Sequence, residues 1–281
     1  MVMKLFKREF KPAKENARLP KNRIELFKII FREDFGLVLD MSLMQTLFSL
    51  PFYANLFITL FILTGLSDKT YNEITPLLFI MCLVNIPCLM LRYIGRIGIY
   101  NVAKDRVFNN SGFFFESFRD SLKENWAKGL FVGLINAIGL MIAIIGGMFF
   151  MQMSDIWVIR GLGIGVGIII YFLIFVSGEY MCSINNYYEL RFKDGFRNSL
   201  SLTIMDLLFS LLFFIVEIIL PFVLALFSNY ALIGVLILYG IYFDGLIIIA
   251  TTLRSHYLFD VSINKTNYPD YVNKGLSKKE D

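Results

Sequence analysis

The sequence is poor in the residues that carry water-soluble chemistry. It has a single histidine, His256, and three cysteines, Cys82, Cys88 and Cys182. One histidine without clustered cysteines argues against a metal site, and three scattered cysteines make neither a zinc pattern nor a disulfide framework. No serine–histidine–acid or cysteine–histidine set can be assembled around a histidine at the end of an apolar run, so the chain is read as non-enzymatic. No cofactor motif stands out. Charged residues make up only 18% of the 281, against about 25% in a soluble domain, and prolines number 7.

Apolar residues fill that gap. They reach 57%, aromatics 16%, with 29 phenylalanines. They are also grouped into runs of membrane-spanning length, which a soluble core does not need. The expected fold is all-α: a polytopic membrane protein with six transmembrane helices and cytoplasmic amphipathic helices. The spans are placed near Ser42–Gly65, Leu77–Ile99, Leu130–Met151, Trp157–Cys182, Leu202–Phe227 and Tyr230–Leu253. Residues 1–40 then form a basic arm and an interfacial helix, 41–254 the membrane domain and 255–281 a polar tail with a disordered end. The first 40 residues are too rich in charge for a secretory signal, so the first apolar run is expected to remain as an anchor.

The net charge of +4 does not point to nucleic acid, because the cations follow the spans. All the lysines and arginines except Lys69 and Arg160 fall on one side of the six-span scheme, counting Arg92 and Arg96 at the end of span two. That bias places both termini in the cytoplasm of a multi-pass cell-membrane protein. The basic arm from Lys4 to Lys21 is read as a topology signal that also attracts anionic headgroups.

The stretch Phe113–Gly129 lies between two apolar runs. As a helix it sets Phe115, Phe118, Leu122 and Trp126 on one side and Glu116, Asp120, Lys123 and Glu124 on the other, with Arg119 at the boundary. Its Phe118–Leu122 segment, FRDSL, returns as FRNSL at Phe196–Leu200. Phe31–Arg32 offers a third copy. The chain then reads as parallel units, each an interfacial helix followed by a two-span hairpin.

Carboxylates in hydrocarbon are costly and usually pair or face water. Glu179 and Asp206, near span ends, are expected to pair with Arg92 or Arg96. Glu217 lies deeper, four residues before Pro221, whose ring removes the helical hydrogen bond to the Glu217 carbonyl. Together with Asp244 it forms the candidate intramembrane polar site. At about 1.5 Å rise per residue, the two sit roughly 22 Å and 14 Å from their inner span ends, so they are expected at different depths. Gly161, Gly163, Gly165 and Gly167 lack the strand, spacing and lysine of a nucleotide loop and read as two overlapping helix-packing pairs. Gly129 and Gly133 make another.

Ile99–Val107, then FFESFR from Phe114 and LKENWAKG from Leu122, resembles the YesL-like family of bacterial integral membrane proteins, with Lys123, Asn125 and Trp126 on that family's lysine–asparagine–aromatic element. The N-terminal arm is longer here, and the family's turn in the second span appears as Ile86-Pro87-Cys88. The resemblance implies an accessory or scaffold role linked to bacterial carbohydrate uptake, with a membrane transporter or sensor as partner. It makes Phe118, Arg119, Lys123, Asn125 and Trp126 a candidate docking surface; the residues themselves equally suit an interfacial anchor in the lipid bilayer. A small-solute permease built on Glu217 and Asp244 is the alternative. Substrate, signal and oligomeric state are not written in the sequence.

Overall fold

A computed structural model describes residues 9–10, 19–64, 71–108, 110, 112–153, 156–227, 233–234 and 237–277. The expectations for the basic arm, the Asp155 loop and the turn around Asn229 fall largely or wholly outside these residues.

The fold is all-α. Helix α1 covers Arg23–Glu33, α2 Phe35–Thr64, α3 Tyr71–Val107, α4 Phe114–Met153 and α5 Trp157–Tyr187. Helix α6 covers Phe192–Met205, α7 Leu207–Phe214, α8 Leu220–Phe227 and α9 Asp244–Phe259. Wider turns, closed by hydrogen bonds to the fifth residue on, interrupt this pattern at Ile215–Ile219 and Tyr239–Phe243. A two-residue antiparallel pairing joins Glu9–Phe10 to Gly112–Phe113.

Five of these segments are long and apolar enough to cross a membrane, and a sixth is counted if the bent pair Phe192–Met205 and Leu207–Ile219 is one span. Apolar side chains such as Phe61, Ile80, Phe131, Phe149 and Leu162 face outward, while Asp244, Arg96 and Glu179 are buried inside. That inversion suits a hydrocarbon solvent. Helix α3 has 37 residues and α4 has 40; at ~1.5 Å per residue both overshoot an apolar layer of ~30 Å and carry their charged ends beyond it.

Helix α1 starts at Arg23, capped by Asn22. Asn22 accepts from the Glu25 amide at 2.9 Å, and Glu25 reaches back to the Lys21 amide at 2.7 Å. These contacts satisfy amides that the first turn leaves open. Two helix breaks follow a common design. Asp34 ends α1 and binds Arg106 at 2.6 Å; Asp206 ends α6 and binds Arg254 through both oxygens. At the second break the chain bends by 95°. The spans therefore differ from the sequence reading: α2 begins at Phe35, before Ser42, and the run expected to span from Leu202 is broken at Asp206. The amphipathic stretch and the third span are one unbroken helix, α4.

The repeated motif survives at its start. Phe114 opens α4 and Phe192 opens α6, and the equivalent serines Ser121 and Ser199 are both buried. The copies diverge afterwards, because α4 continues straight and α6 breaks. The buried stripe of α4 is also rotated from the expected one. Phe114, Phe118, Ser121 and Asn125 are buried, whereas Phe115 is 50% and Trp126 53% exposed. The cause is the close approach of α3: the Phe118 ring fills the space a side chain at Gly98 would occupy. Ser121 donates within this contact, and Ile97 O and Asn186 Oδ1 lie 3.2 and 2.8 Å away.

The tail is not a loose segment through residue 277. Helix α9 runs to Phe259, past the expected boundary at 254. Asp260 accepts from Arg23, from Asn264 at 2.7 Å and from the Asn273 amide at 3.0 Å, and the Ser277 amide reaches Pro20 O at 2.9 Å. Tyr188 donates to Asn264 at 2.5 Å, and burial raises its phenol above the usual tyrosine range. The N-terminal helix and the tail thus close the same end of the bundle.

Candidate functional site

Four segments bring charge together at one place. Arg92 and Arg96 are spaced by one turn on α3, so both face inward from the same side. Glu179 comes from the buried half of α5, Glu217 from the wide turn Ile215–Ile219, and Asp244 from the start of α9 just after the second wide turn. Wide turns of this kind recur at functional sites because they redirect a side chain without ending the helix. Here Pro221 cannot donate to the Glu217 carbonyl, and its ring crowds that position, so the widened turn relieves a contact that a regular helix would force.

Arg96 is the bridge. Its Nε donates to Glu179 Oε2 at 2.6 Å and its Nη2 to Glu217 Oε2 at 2.8 Å. Arg92 Nη2 donates to Glu217 Oε1 at 2.9 Å, and Tyr100 donates to Glu179 Oε2 at 2.8 Å. The carboxylates and guanidiniums of these pairs are at most 5% exposed. Asp244 stands apart. Tyr53 donates to its Oδ2 at 3.4 Å, and its Oδ1 has no partner among the described residues.

A cavity of about 250 Å³ opens beside these groups. Arg92, Glu217, Asp244, Tyr53 and Asn85 supply its polar lining, and Leu56, Leu60, Leu78, Leu140, Ile144 and Pro221 its apolar walls. Phe52 and Tyr53 flank the Arg92 guanidinium at 5.2 and 5.9 Å. The amide of Asn85 is engaged by Asn55 at 2.7 Å. A mostly apolar chamber with a few converging polar groups is the usual form of a small-molecule site.

Helix α9 and its preceding turn are held against α2 by two close approaches. A Cβ at Gly245 would lie 2.3 Å from Val38 O, and one at Gly240 would lie 2.8 Å from Thr46 Oγ1. Thr46 donates to Gly240 O at 3.1 Å, and the Gly245 amide donates to Ser42 Oγ at 2.8 Å. These contacts fix Asp244 in place.

Several sequence expectations change here. Glu179 does pair with Arg96. Asp206 pairs with Arg254 instead of Arg92 or Arg96, because the bend after α6 turns it away from α3. Glu217 is held by two arginines, an arrangement that sequence reasoning missed, although the one-turn spacing of Arg92 and Arg96 was a signal for it. Glu217 and Asp244 line one cavity; counting rise along a straight span misplaces Glu217 because the segment is bent at Asp206 and widened at Ile215–Ile219. The glycine run also divides. Gly163 and Gly167 pack against Phe150 and Ala143, while a Cβ added at Gly161 or Gly165 would meet nothing within 4 Å. Of the α4 candidates, Phe118 and Asn125 are buried, whereas Arg119 and Lys123 make only surface contacts with Asp120 at 3.5 and 3.7 Å, which contribute little.

No family model, curated protein or solved structure matches the chain. Among the described residues no group of three or more histidine, cysteine or acidic side chains is placed to hold a metal ion.

Proposed function

We propose that the chain is a multi-pass membrane permease that binds a small solute in the chamber above the Arg92–Glu217–Arg96–Glu179 network. The observation that carries this reading is Asp244: a fully buried carboxylate with one open oxygen, in a cavity wall, among spans. Intramembrane ionisable groups of this kind commonly line solute or ion paths. The wide turns on either side supply segments whose backbone geometry can shift. The purified protein in liposomes should give saturable solute flux, and Asp244→Asn should lower it at least tenfold with unchanged incorporation. Absence of flux across an amine, acid and sugar panel would sink the permease reading.

A different surface supports an accessory or scaffold role in a bacterial membrane system such as carbohydrate uptake. The exposed aromatics Phe115 and Trp126 project from the charged end of α4, beside the Lys123–Asn125–Trp126 element that resembles the YesL-like family. Reproducible crosslinks from Trp126 to one transporter or sensor, without flux by the protein alone, would favour this reading.

For either role the charge distribution supports a cell-membrane protein with both termini cytoplasmic. In a cysteine-free background, Lys265→Cys is expected to react only from the cytoplasmic side and Ile156→Cys only from the other. The reverse pattern would overturn the orientation.

A further inference from the structure

We propose that the chamber takes a small organic cation, an ammonium group on an apolar body, with Asp244 as its counter-ion. This rests on the permease reading and names the substrate class.

The charges are the first reason. Two guanidiniums meet three carboxylates, so with all five ionised one negative charge has no match. The unmatched one is identifiable. Glu179 is bound by Arg96 and Tyr100, and Glu217 by both arginines. Glu179 Oε1 is open as well, but Asp244 alone of the three receives no guanidinium among the described residues: only the Tyr53 hydroxyl reaches it, and its Oδ1 is open although the residue is 0% exposed. A buried charge is expensive unless something compensates it. Arg92 also reaches the cavity, but its charge is already met by Glu217, so an anionic guest would have to break that pair.

The walls are the second reason. Phe52, Tyr53, Tyr171 and Tyr239 border the chamber, and aromatic faces attract cations. The remaining surface is largely aliphatic. A bare calcium or magnesium ion needs about six or more oxygen ligands at defined positions, which one carboxylate and a few hydroxyls do not provide. An ammonium needs a single counter-ion and tolerates apolar walls around its substituents.

Cys82 offers a direct test, since it lines the chamber and is only 3% exposed. The full chain with Cys88→Ala and Cys182→Ala would keep Cys82 as its one thiol. Three methanethiosulfonates would be compared on the detergent-purified protein: methyl (neutral), aminoethyl (cationic) and sulfonatoethyl (anionic). Rates are normalised to those at an exposed Lys265→Cys in a background lacking the native thiols. The cationic reagent is expected to modify Cys82 at least tenfold faster than the anionic one. Asp244→Asn should bring the ratio close to one. 2-Phenylethylammonium should protect Cys82, and phenylacetate should not. The wild-type comparison needs no change at Asp244, so it stands even where that variant does not fold. Equal rates, or a preference for the anionic reagent, would overturn the cation assignment while entry of the neutral reagent leaves the permease reading intact. Failure of all three reagents to reach Cys82 would overturn both.

Discussion

Arg96→Met is expected to remove most of the folded protein from the membrane. Among the described residues Arg96 is the largest side chain in the core with essentially no exposure, and it is the single group that donates to both Glu179 and Glu217. Its loss joins no new partners; it leaves one carboxylate with only Tyr100 and the other with only Arg92. Breaking a buried pair from one side costs about 3–5 kcal/mol, because the remaining charge stays buried without compensation. A typical domain has a margin of only about 5–15 kcal/mol. Arg96→Lys should be intermediate: one ammonium cannot present the planar fork that reaches two carboxylates. Arg96→Met combined with Glu179→Gln should recover part of the loss, since the orphaned charge is removed as well, with a coupling of about 0.5–3 kcal/mol. Melting followed by size exclusion in detergent would read this series. Equal melting of Arg96→Met and wild type would mean that the network does not hold α3, α5 and the Ile215–Ile219 turn together.

That result would also say what the network is for. Three helical segments converge on Arg96, and none of them would choose this arrangement by apolar packing alone, because lipid is as good a solvent for leucine as another helix is. A paired charge cluster gives such segments one preferred register. Asp244 has no arginine partner among the described residues. The division is therefore spatial: Glu179 and Glu217 are tied to arginines, and Asp244 lines the cavity without one.

The all-α, membrane-spanning character was legible because hydropathy is local. Every apolar run reports its own solvent, whatever the rest of the chain does. The charged site was legible only in its parts. Glu217, Asp244, Arg92 and Arg96 each stood out as charges in apolar sequence, but their grouping depends on a 95° bend at Asp206 and on two widened turns, and nothing at Asp206 distinguishes a helix-ending aspartate from one inside a straight span. The rotation of the α4 seam was hidden similarly. Phe114 and Phe115 are neighbours of the same type, and only the position of α3, set by Gly98, decides which is buried.

The glycines give the second large effect, and they separate positions that sequence treats alike. Gly133→Ala is expected to destabilise the bundle by about 1–3 kcal/mol, the usual cost of forcing a methyl into a packed contact, and Gly133→Leu to prevent assembly of α3 with α4. A Cβ at Gly133 would lie 2.5 Å from Met90 Cα and 2.6 Å from Leu89 O, and one at Gly129 2.9 Å from Tyr93 O. Backbone atoms of a neighbouring helix cannot rotate aside, so the whole α3–α4 contact must separate. At Gly163 the obstruction is Phe150, whose Cβ as well as its ring lies within 2.5 Å of an added Cβ; turning the ring does not move Cβ, so Gly163→Ala also requires α4 and α5 to separate. A Cβ at Gly161 would meet nothing within 4 Å, and alanine there should be neutral or stabilising by up to ~1 kcal/mol, since glycine is a poor helix former. The expected order of melting temperatures is Gly161→Ala highest, with Gly163→Ala and Gly133→Ala both below it. Equal losses at Gly161 and Gly133 would mean that glycine content, and not close approach of α3 to α4, sets the stability. Because α3 carries Arg92 and Arg96, a separation at Gly133 would also pull both arginines from their carboxylates, so Gly133→Ala should weaken the charge preference at Cys82 in parallel with its melting temperature.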